Sequence, residues 1–417
     1  MNPRLHLYNT MTRSVEEFRP ASPGKASIFT CGPSTYLRPH IGNYRTFLYE
    51  DIVVRYLAYL GFDVRRVINF TDVEDKTIVE AEHQGRKVED ITDEVHRHFF
   101  QETELLRIRL PPEIPRSSTS VDQAVEIIQA LLASGHAYWF EGDVFFDPLS
   151  FDGFGKLYRL DMSKWPATKV RFKKDTYNGN RWNRGDFILW HGHKKDKESA
   201  VSWESEIGMG RPAWNIQDPA MILQQIGTQI DINCGGIDNI YRHHDYNIAV
   251  MESYSGKKFA SYYMHGAHLI VDGSRMSKSR GNILYLEDVV DREFTYSHLR
   301  FFLIHLHYRK QLNFTQERFR DTAKRLDSVK SRLARILAST SPNATTPQPV
   351  DRIVDEMETV FQSHMNDDLR LGDAFEEFAT QLTKIEQNSE ESGISIATRD
   401  RINSVVSRID DVFGFMG

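Results

Sequence analysis

The chain is poor in cysteine, has no long apolar run and carries no excess of positive charge. Two cysteines, Cys31 and Cys234, exclude a disulfide framework and fit a reducing compartment. The N-terminal residues are not the apolar start of a signal peptide, and no apolar run reaches about 18 residues, so we expect a cytoplasmic protein that does not enter a membrane. The formal net charge of −6 argues against a dedicated nucleic-acid-binding protein.

The length and composition of the chain predict a globular protein with more than one domain. A chain of 417 residues is too long for one hydrophobic core, which predicts two or three domains. Hydrophobic residues make up 40% and charged residues 26%, as in ordinary globular proteins. No repeat at a fixed period and no obvious apolar surface motif occurs, so a monomer is our default expectation.

One stretch organises the chain, residues 29–43, which read Phe-Thr-Cys-Gly-Pro-Ser-Thr-Tyr-Leu-Arg-Pro-His-Ile-Gly-Asn. It joins a predicted strand at 26–31 to a predicted helix at 45–60, and a second predicted strand follows at 64–69. A β-α-β unit of this kind implies a parallel sheet. The first amides of a helix have no partner within the helix, so we expect a nucleotide phosphate at this loop.

Polar residues follow the second strand, where the sequence Asn-Phe-Thr-Asp-Val-Glu-Asp-Lys occupies 69–76. The carboxyl ends of parallel strands are where open α/β sheets place ligands, so Thr71 is a candidate substrate contact. A helix N-cap formed by Thr71 or Asp72 explains the same residues. Both interpretations stay open, because one residue can cap a helix and also face a site.

Residues 137–190 differ from the helical stretch at 77–135 that precedes them. They contain short predicted strands at 137–140 and 144–146, and then a basic run at 169–174 followed by Arg181 and Arg184. With Phe172, Tyr177 and Trp182 nearby, this run is typical of a surface that holds a polyanion backbone. A solvated strand edge rich in lysine is the alternative.

Residues 204–250 return to the sheet and carry further candidate ligands. A rigid turn presents Trp214, and an alternating strand from Ile230 ends in Gly235, Gly236 and then Asp238. Adjacent glycines let backbone approach a flat ligand, and an acid after a strand suits ribose hydroxyls. His243 and Asn247 are four residues apart, which predicts one helix face, but two positions do not define a metal site.

A basic loop at 272–282 and a helical tail complete the chain. The loop carries Arg275, Lys278 and Arg280 and is able to close over a polyphosphate, although a plain basic surface loop explains it too. The tail from about 286 is predicted to be helical, with a helix at 317–337 and a linker at 339–349. Residues 351–417 hold 15 acidic and 6 basic side chains, which makes them a poor RNA-binding segment.

Two motifs in this order, His-Ile-Gly-Asn at 40–43 and Arg-Met-Ser-Lys-Ser at 275–279, resemble the HIGH and KMSKS motifs of class I aminoacyl-tRNA synthetases. The chain is most similar to the cysteinyl-tRNA synthetases, from Leu5 to about Phe314 and more weakly through the tail. Further stretches that carry the resemblance read FTCG, INFTDVEDK, GDVFFD, GRPAWNIQD, CGGIDNIYRHH and YYMHG. The implied fold is α/β, with a Rossmann-like parallel sheet. We assign 1–110 and 204–285 to a nucleotide-binding domain, 111–203 to a connective insertion and 286–417 to a loop-closing region and helical bundle.

The resemblance also implies a reaction, in which an amino acid carboxylate attacks the α-phosphorus of ATP and pyrophosphate leaves with Mg²⁺. Such chemistry depends on positioning and charge stabilisation rather than on a protein nucleophile. The resemblance implies that His40 and Asn43 contact the phosphates and that Lys278 with Arg275 stabilises the developing charge. It assigns ATP and adenylate contacts to Gly32, Ser34, Gly42, Thr46, Gly235, Gly236, Asp238, Ile270, Met276, Ser277 and Ser279, and the amino-acid pocket to Cys31, Asn69, Thr71, Trp214, Asp218, His243 and Asn247.

The chain departs from the family at the metal site. The family selects cysteine with a zinc ion held by two Cys, one His and one Glu, whereas the matching positions here are Cys31, Asp218, His243 and Asn247. Because a neutral amide is a poor zinc ligand, we expect this site not to hold zinc and not to select cysteine through a zinc–thiolate bond. An unpaired Asp218 would favour a cationic or hydroxyl-bearing substrate group; an Asp218 bonded to Asn247 or His243 is the alternative.

The acceptor of the activated amino acid is the second departure. The chain stops soon after the helical bundle and its tail is acidic, in which it resembles the truncated mycothiol-pathway paralogue that joins cysteine to a glucosaminyl inositol amine. This favours an amide ligase with a small-molecule amine as acceptor. The alternative is aminoacylation of tRNA, with the basic run at 169–184 holding the acceptor stem. A non-catalytic RNA-binding or regulatory protein is a third possibility, against which both intact motifs argue.

Overall fold

The computed structural model describes residues 4–164, 185–193 and 201–417. The basic run predicted at 169–184, with Phe172, Tyr177 and Trp182, lies outside these ranges. The strands within them are β1 (His6–Asn9), β2 (Ser14–Glu17), β3 (Lys25–Thr30), β4 (Asp63–Ile68), β5 (Ala137–Phe140), β6 (Asp143–Phe146), β7 (Phe187–Gly192), β8 (Gly210–Pro212), β9 (Ile230–Gly236), β10 (Ala260–Gly266), β11 (Leu269–Val271), β12 (Ser274–Arg275) and β13 (Leu312–Phe314). The helices are α1 (Ile41–Tyr59), α2 (Asp75–Gln84), α3 (Val88–Leu105), α4 (Val121–Ala133), α5 (Trp214–Gln225), α6 (Asp245–Ser255), α7 (Tyr296–His305), α8 (Gln316–Ala338), α9 (Gln348–Met365), α10 (Leu371–Ser389) and α11 (Ile396–Phe413).

A four-stranded parallel sheet forms the centre of the molecule, with strands in the order β10-β9-β3-β4. The predicted β-α-β unit is confirmed, because β3 pairs with β4 in parallel and α1 connects them. Strands from two distant stretches of sequence, residues 25–68 and 230–266, therefore share one sheet. The carboxyl ends of β3 and β9 meet at one edge, where ligands of open α/β sheets bind.

Helix α1 begins at Ile41, four residues before the predicted start. The side chain of His40 caps it by accepting hydrogen bonds from the amides of Gly42 and Asn43, which fixes the boundary directly after the loop. The apolar residues that helical spacing predicts on one face of this helix are buried, namely Leu48, Ile52, Val53, Tyr56 and Leu57. Gly61, at φ +89°, follows the last turn and lets the chain reverse into β4.

Three smaller sheets surround the central one. Strands β5 to β8 form an antiparallel sheet in sequence order, and β1 pairs with β2 as a hairpin. A third sheet has the order β12-β11-β13, with β11 and β13 parallel. The prediction of a wholly helical tail was therefore wrong at residues 312–314, because the edge of β11 offers this segment backbone hydrogen bonds.

The helices α7 to α11 pack together behind the sheet, as predicted for the tail, and α1 contacts both α7 and α11. One continuous apolar core runs from β3 and α1 into these helices, and a second lies between α4, α5, α6 and the β5–β8 sheet. No helix in the described ranges combines the length and the apolar character that crossing a membrane requires. The division into domains at 110, 203 and 285 stays a prediction.

Candidate active site

An open cleft of about 420 Å³ lies at the carboxyl ends of β3 and β9. It contains many of the predicted site residues. Its lining residues are Cys31, Gly32, Pro33, Ser34, Tyr36, Leu37, Arg38, Pro39, His40, Asn43, Thr46, Phe47, Trp214, Gly236, Asp238, Asn239, Tyr241, His243, Ile283 and Tyr285. Some members of both predicted sets thus line one cavity, whereas Asn69, Thr71, Asp218 and Asn247 are not among its lining residues.

His40 occupies the amides that the sequence suggested for a phosphate. Its Nδ1 accepts from the amides of Gly42 at 3.1 Å and Asn43 at 3.3 Å, and the amide of Ile41 donates to the Leu284 carbonyl. An Nδ1 that accepts two N–H groups carries no proton, so the proton of the neutral ring is on Nε2. Burial lowers the pKa of His40, which favours this neutral donor form. The sequence predicted that these amides would be free to bind a phosphate, but the His40 ring accepts hydrogen bonds from them instead.

The two signature motifs contact each other. The methyl carbon of Met276 packs against Gly42, where a Cβ would lie only 2.6 Å away. The 275–282 loop is closed on itself, because the Asn282 side chain accepts from the Ser277 amide at 3.0 Å and donates to the Arg275 carbonyl at 3.1 Å. Ser277 and Ser279 share a hydrogen bond at 3.2 Å. Arg275 and Lys278 are exposed and do not line the cleft, so they would reach a phosphate only if the loop moved.

A buried polar network forms the floor of the cleft. The amide of Gly32 donates to Asn69 at 2.7 Å, and Asn69 donates to Asp218 at 2.7 Å and to Thr71 at 3.3 Å. The second Asp218 oxygen lies 2.9 Å from Nε2 of His243 and accepts from Asn247 at 3.4 Å. Asp218 is therefore buried and fully partnered, as in the alternative in which it is bonded to Asn247 or His243, and it is not the unpaired carboxylate that would favour a cationic substrate group.

Gly235 and Ile270 are not among the residues that line the cleft. Gly235 exchanges backbone hydrogen bonds with the Tyr49 hydroxyl and leaves room for the His244 ring, which a Cβ would meet at 2.9 Å. Ile270 pairs with Arg275 across β11 and β12 and is absent from the cleft lining. Gly236 and Asp238 do line the cleft, with Asp238 exposed.

The histidine pair lies at the start of α6. Only Tyr241 and Arg242 depart from helical backbone angles before α6, so His243 and Asn247 lie four residues apart on one helical stretch, as predicted. Arg242 adopts the left-handed conformation at φ +70° directly before the buried residues His243 and His244. His243 and Asn247 both contact Asp218.

Several residues of the cleft were missed by the sequence analysis. Arg38 lines the cleft two residues before His40 and donates hydrogen bonds to Glu102 of α3 at 2.6 Å and to Glu287 at 2.7 Å. Tyr36, Tyr241 and Tyr285 line the walls. Single residues in irregular loops carry no periodic pattern, so no sequence signal identifies them. A sequence signal did exist for His244, because it directly follows the predicted site residue His243 and is itself a potential metal ligand.

The four family ligand positions do not fit a zinc ion in this chain. Asn247 directs its amide nitrogen at Asp218, and both carboxylate oxygens of Asp218 already have partners. The amide at one position is neutral and the carboxylate at another is already hydrogen-bonded. Only Cys31 and His243 of the four family positions therefore remain as potential zinc ligands. Burial, together with the carboxylates of Asp218 and Glu50, raises the pKa of the Cys31 thiol.

Comparisons with known proteins agree with this geometry. A model of the family described as tRNA synthetases class I (C) catalytic domain matches residues 17–324. The chain belongs to this family. It is thus an ATP-dependent ligase of the class I aminoacyl-tRNA synthetase type.

Its curated relatives match over nearly the full chain. A cysteine--tRNA ligase of Chlamydia pneumoniae is 35% identical over 417 residues, which is 99% of this chain and 86% of the relative. A cysteine--tRNA ligase of Methanosarcina mazei is 34% identical and covers 98% of this chain and 87% of the relative. The predicted resemblance to cysteinyl-tRNA synthetases is confirmed.

Solved structures support the fold. The methionyl-tRNA synthetase of Mycobacterium tuberculosis in complex with methionyl-adenylate superposes with a TM-score of 0.66 at 14% identity, over 94% of this chain and 90% of that one. The LeuRS–tRNA–LeuAMS ternary complex of Agrobacterium radiobacter K84 gives 0.68 at 11% identity, over 96% and 85%. At these identities the likeness concerns the fold alone, and it confirms the class I synthetase architecture predicted from the sequence.

Proposed function

We propose that the protein activates cysteine with ATP as an aminoacyl-adenylate and transfers it to tRNA. The named function of its relatives supports tRNA as acceptor better than the small-molecule amine that the acidic tail suggested. A cytoplasmic location and a monomeric state stay predictions.

The observation that carries the proposal is the contact between the two signature motifs at the mouth of the cleft. Gly42 touches Met276, and the Ile41 amide is bonded to the Leu284 carbonyl, so the helix that carries His40 and the loop that carries Lys278 are adjacent. A polyphosphate between them would meet the neutral His40 donor on one side. On the other side, the positively charged side chains of Arg275 and Lys278 would stabilise charge on the leaving pyrophosphate.

The remaining roles follow from position. The Gly236 backbone and the Asp238 carboxylate line the end of the cleft at which β9 finishes, which suits adenosine and its ribose. Trp214 stacks on His243 with ring centroids 4.5 Å apart and forms the wall beside Cys31. Mg²⁺ would accompany the departing pyrophosphate. Transfer then needs only an acceptor hydroxyl close to the mixed anhydride, because the adenylate is already activated.

The test combines two assays on the full chain. Pyrophosphate exchange across the twenty amino acids reports adenylate formation, and we expect exchange with cysteine well above that with serine or alanine. Incubation with ATP, radiolabelled cysteine and total tRNA then reports transfer, and we expect acid-precipitable product. Cysteine-dependent exchange without charging of tRNA, but with product formed on an amino-sugar acceptor, would favour the amide ligase. No exchange with any amino acid would contradict both enzymes and favour the regulatory protein.

A further inference from the structure

Three side chains at the base of the cleft converge on a single point. The sulfur of Cys31 lies 3.6 Å from Nε2 of His243 and 3.6 Å from Nε2 of His244. These three atoms all lie within 4.8 Å of one another, and they form the one such group of potential metal ligands found in the described ranges. Asp218 and Asn247, which occupy family ligand positions, are not part of it.

Two of the three separations in this group match those around a tetrahedral zinc ion. Zinc–sulfur bonds of about 2.3 Å and zinc–nitrogen bonds of about 2.0–2.1 Å, at tetrahedral angles, place sulfur and nitrogen roughly 3.6 Å apart. Both sulfur–nitrogen separations in the cluster have this value. To bind an ion at the centre of the group, His243 would also have to turn its Nε2 away from the Asp218 oxygen that lies 2.9 Å from it.

The orientation of His244 provides independent support. Its Nδ1 forms a hydrogen bond with Nε2 of His265 at 2.8 Å, and Nδ1 of His265 forms one with the Thr10 hydroxyl at 2.8 Å. Ligating histidines characteristically bind an outer partner through their second nitrogen, which fixes the ring and directs the first nitrogen at the metal. Gly235 leaves the space that this ring occupies. His244 is fully buried, so its Nε2 has been positioned against Cys31 rather than left in solvent.

We propose that this chain has replaced the four-residue zinc site of its family with a three-residue site formed by Cys31, His243 and His244. One thiolate and two imidazoles suit a borderline-soft divalent ion such as zinc, and Co²⁺ is its spectroscopic substitute. Asp218 keeps Asn69 and Asn247 as hydrogen-bond donors when His243 turns its Nε2 to the ion. A three-residue site leaves one coordination position open towards the cleft, which Cys31 and His243 line.

Metal binding tests the site directly and does not depend on the proposed function. The full chain is stripped with chelator and titrated with Co²⁺, and zinc content is measured separately by mass spectrometry after dialysis. We expect about one ion per chain, with a thiolate-to-cobalt charge-transfer band and the intense visible bands of a tetrahedral site. Failure of the wild-type chain to bind either ion stoichiometrically would overturn the proposal.

Variants distinguish the new donor set from the inherited one. His244→Asn keeps a polar atom near the Nδ1 position for His265 but removes Nε2, and we expect at least a tenfold loss of Co²⁺ affinity. Cys31→Ser should abolish the charge-transfer band, whereas Asn247→Ala removes a donor to Asp218 but no donor to the ion, so it should keep the band and lose less affinity than His244→Asn. A band that survives in His244→Asn and disappears in Asn247→Ala would overturn the proposal in favour of the family positions. Circular dichroism of each metal-free variant verifies that it is folded.

Discussion

At the scale of single residues, His40 caps α1 through one ring nitrogen, and the proposed function assigns its other nitrogen to the phosphate. Nδ1 caps α1, and Nε2 is left as a neutral donor at the cleft. Replacement by asparagine retains a good N-cap but cannot reach the position of Nε2. Replacement by glutamine reaches that position but caps poorly. The two variants should therefore separate the two roles.

We expect His40→Asn to unfold at the wild-type temperature but to lose about 10²- to 10³-fold in pyrophosphate exchange, the usual effect of removing one donor to a developing charge. His40→Gln should cost about 1 kcal/mol of stability while retaining more exchange activity than His40→Asn. Thermal unfolding measures the order of stability of the two variants, and pyrophosphate exchange rates measure their order of activity. If activity simply followed stability across both variants, the assignment of Nε2 to phosphate would be contradicted.

His96 gives the clearest pH dependence at this scale. It is buried and stacks on Phe70 with ring centroids 4.0 Å apart, and burial together with the nearby Arg116 lowers its pKa to about 4. Between pH values of about 6.5 and 4 the unfolded chain binds a proton that the folded chain does not, so the free energy of unfolding falls as the pH falls through this window.

Replacing His96 with phenylalanine keeps the stacking and removes the titrating ring. We expect the free energy of unfolding of His96→Phe to exceed that of the wild type by an amount that grows by about 2 kcal/mol from about pH 7 to about pH 5. Urea unfolding at both pH values measures this difference. If the free energy of unfolding had the same pH dependence in both proteins, His96 would not be the source of that dependence.

At the scale of elements, the sequence predicted regular structure well and irregular junctions poorly. The strand β5 was predicted at its observed bounds, and the apolar stripe of α1 follows from helical spacing. The kink at Arg242 was not predictable, because a left-handed arginine depends on tertiary contacts rather than on local preference. His244 therefore escaped notice as a partner of Cys31, although the family motif identified His243.

The contact between α1 and the 275–282 loop can be tested through Gly42. Alanine there improves helix propensity but would bring a Cβ to 2.6 Å from the Met276 methyl carbon and to 3.0 Å from the His40 ring. We expect Gly42→Ala to displace the loop and to lower pyrophosphate exchange at least tenfold, with little loss of stability.

A double-mutant cycle gives this experiment its control. Met276→Ala alone should reduce exchange modestly, and in combination with Gly42→Ala it should recover part of the lost activity because the methyl group that clashes is gone. Strictly additive losses would mean that Gly42 acts only through His40, and that the two motifs are not coupled by this contact.

At the scale of the whole molecule, charged side chains join the helices of the tail to one another and to α1. The basic face of α8 is paired with the acidic α10, through Arg325 with Glu376 and through Arg332 and Arg335 with Glu386. Part of the acidic charge of residues 351–417 is thus paired within the bundle, which composition alone could not reveal. These pairs are partly exposed and contribute little stability each.

A buried charge cluster anchors the bundle to α1. Arg300 of α7 binds Asp51 of α1 at 2.8 Å, the Phe413 carbonyl at 2.7 Å and the Leu106 carbonyl at 2.8 Å, and Arg55 binds Asp51 at 2.7 Å. Burial alone would raise the pKa of Asp51, but the guanidinium groups of Arg300 and Arg55 hold it below its ordinary value. The carboxylate is therefore charged and depends on its partners.

Arg300→Met should consequently cost about 3 kcal/mol, the lower end for breaking a buried ion pair, because Arg55 still binds the charged Asp51 while the Phe413 and Leu106 carbonyls lose a buried donor. Arg325→Met removes an arginine from an exposed pair on α8 and should cost less than about 1 kcal/mol. Chemical unfolding of the two variants measures the contrast. Since His40 caps α1, a folded Arg300→Met protein should lose exchange activity at lower temperature than the wild type, in step with its unfolding. Equal destabilisation by both variants would mean that the bundle is held to α1 by apolar packing rather than by this cluster.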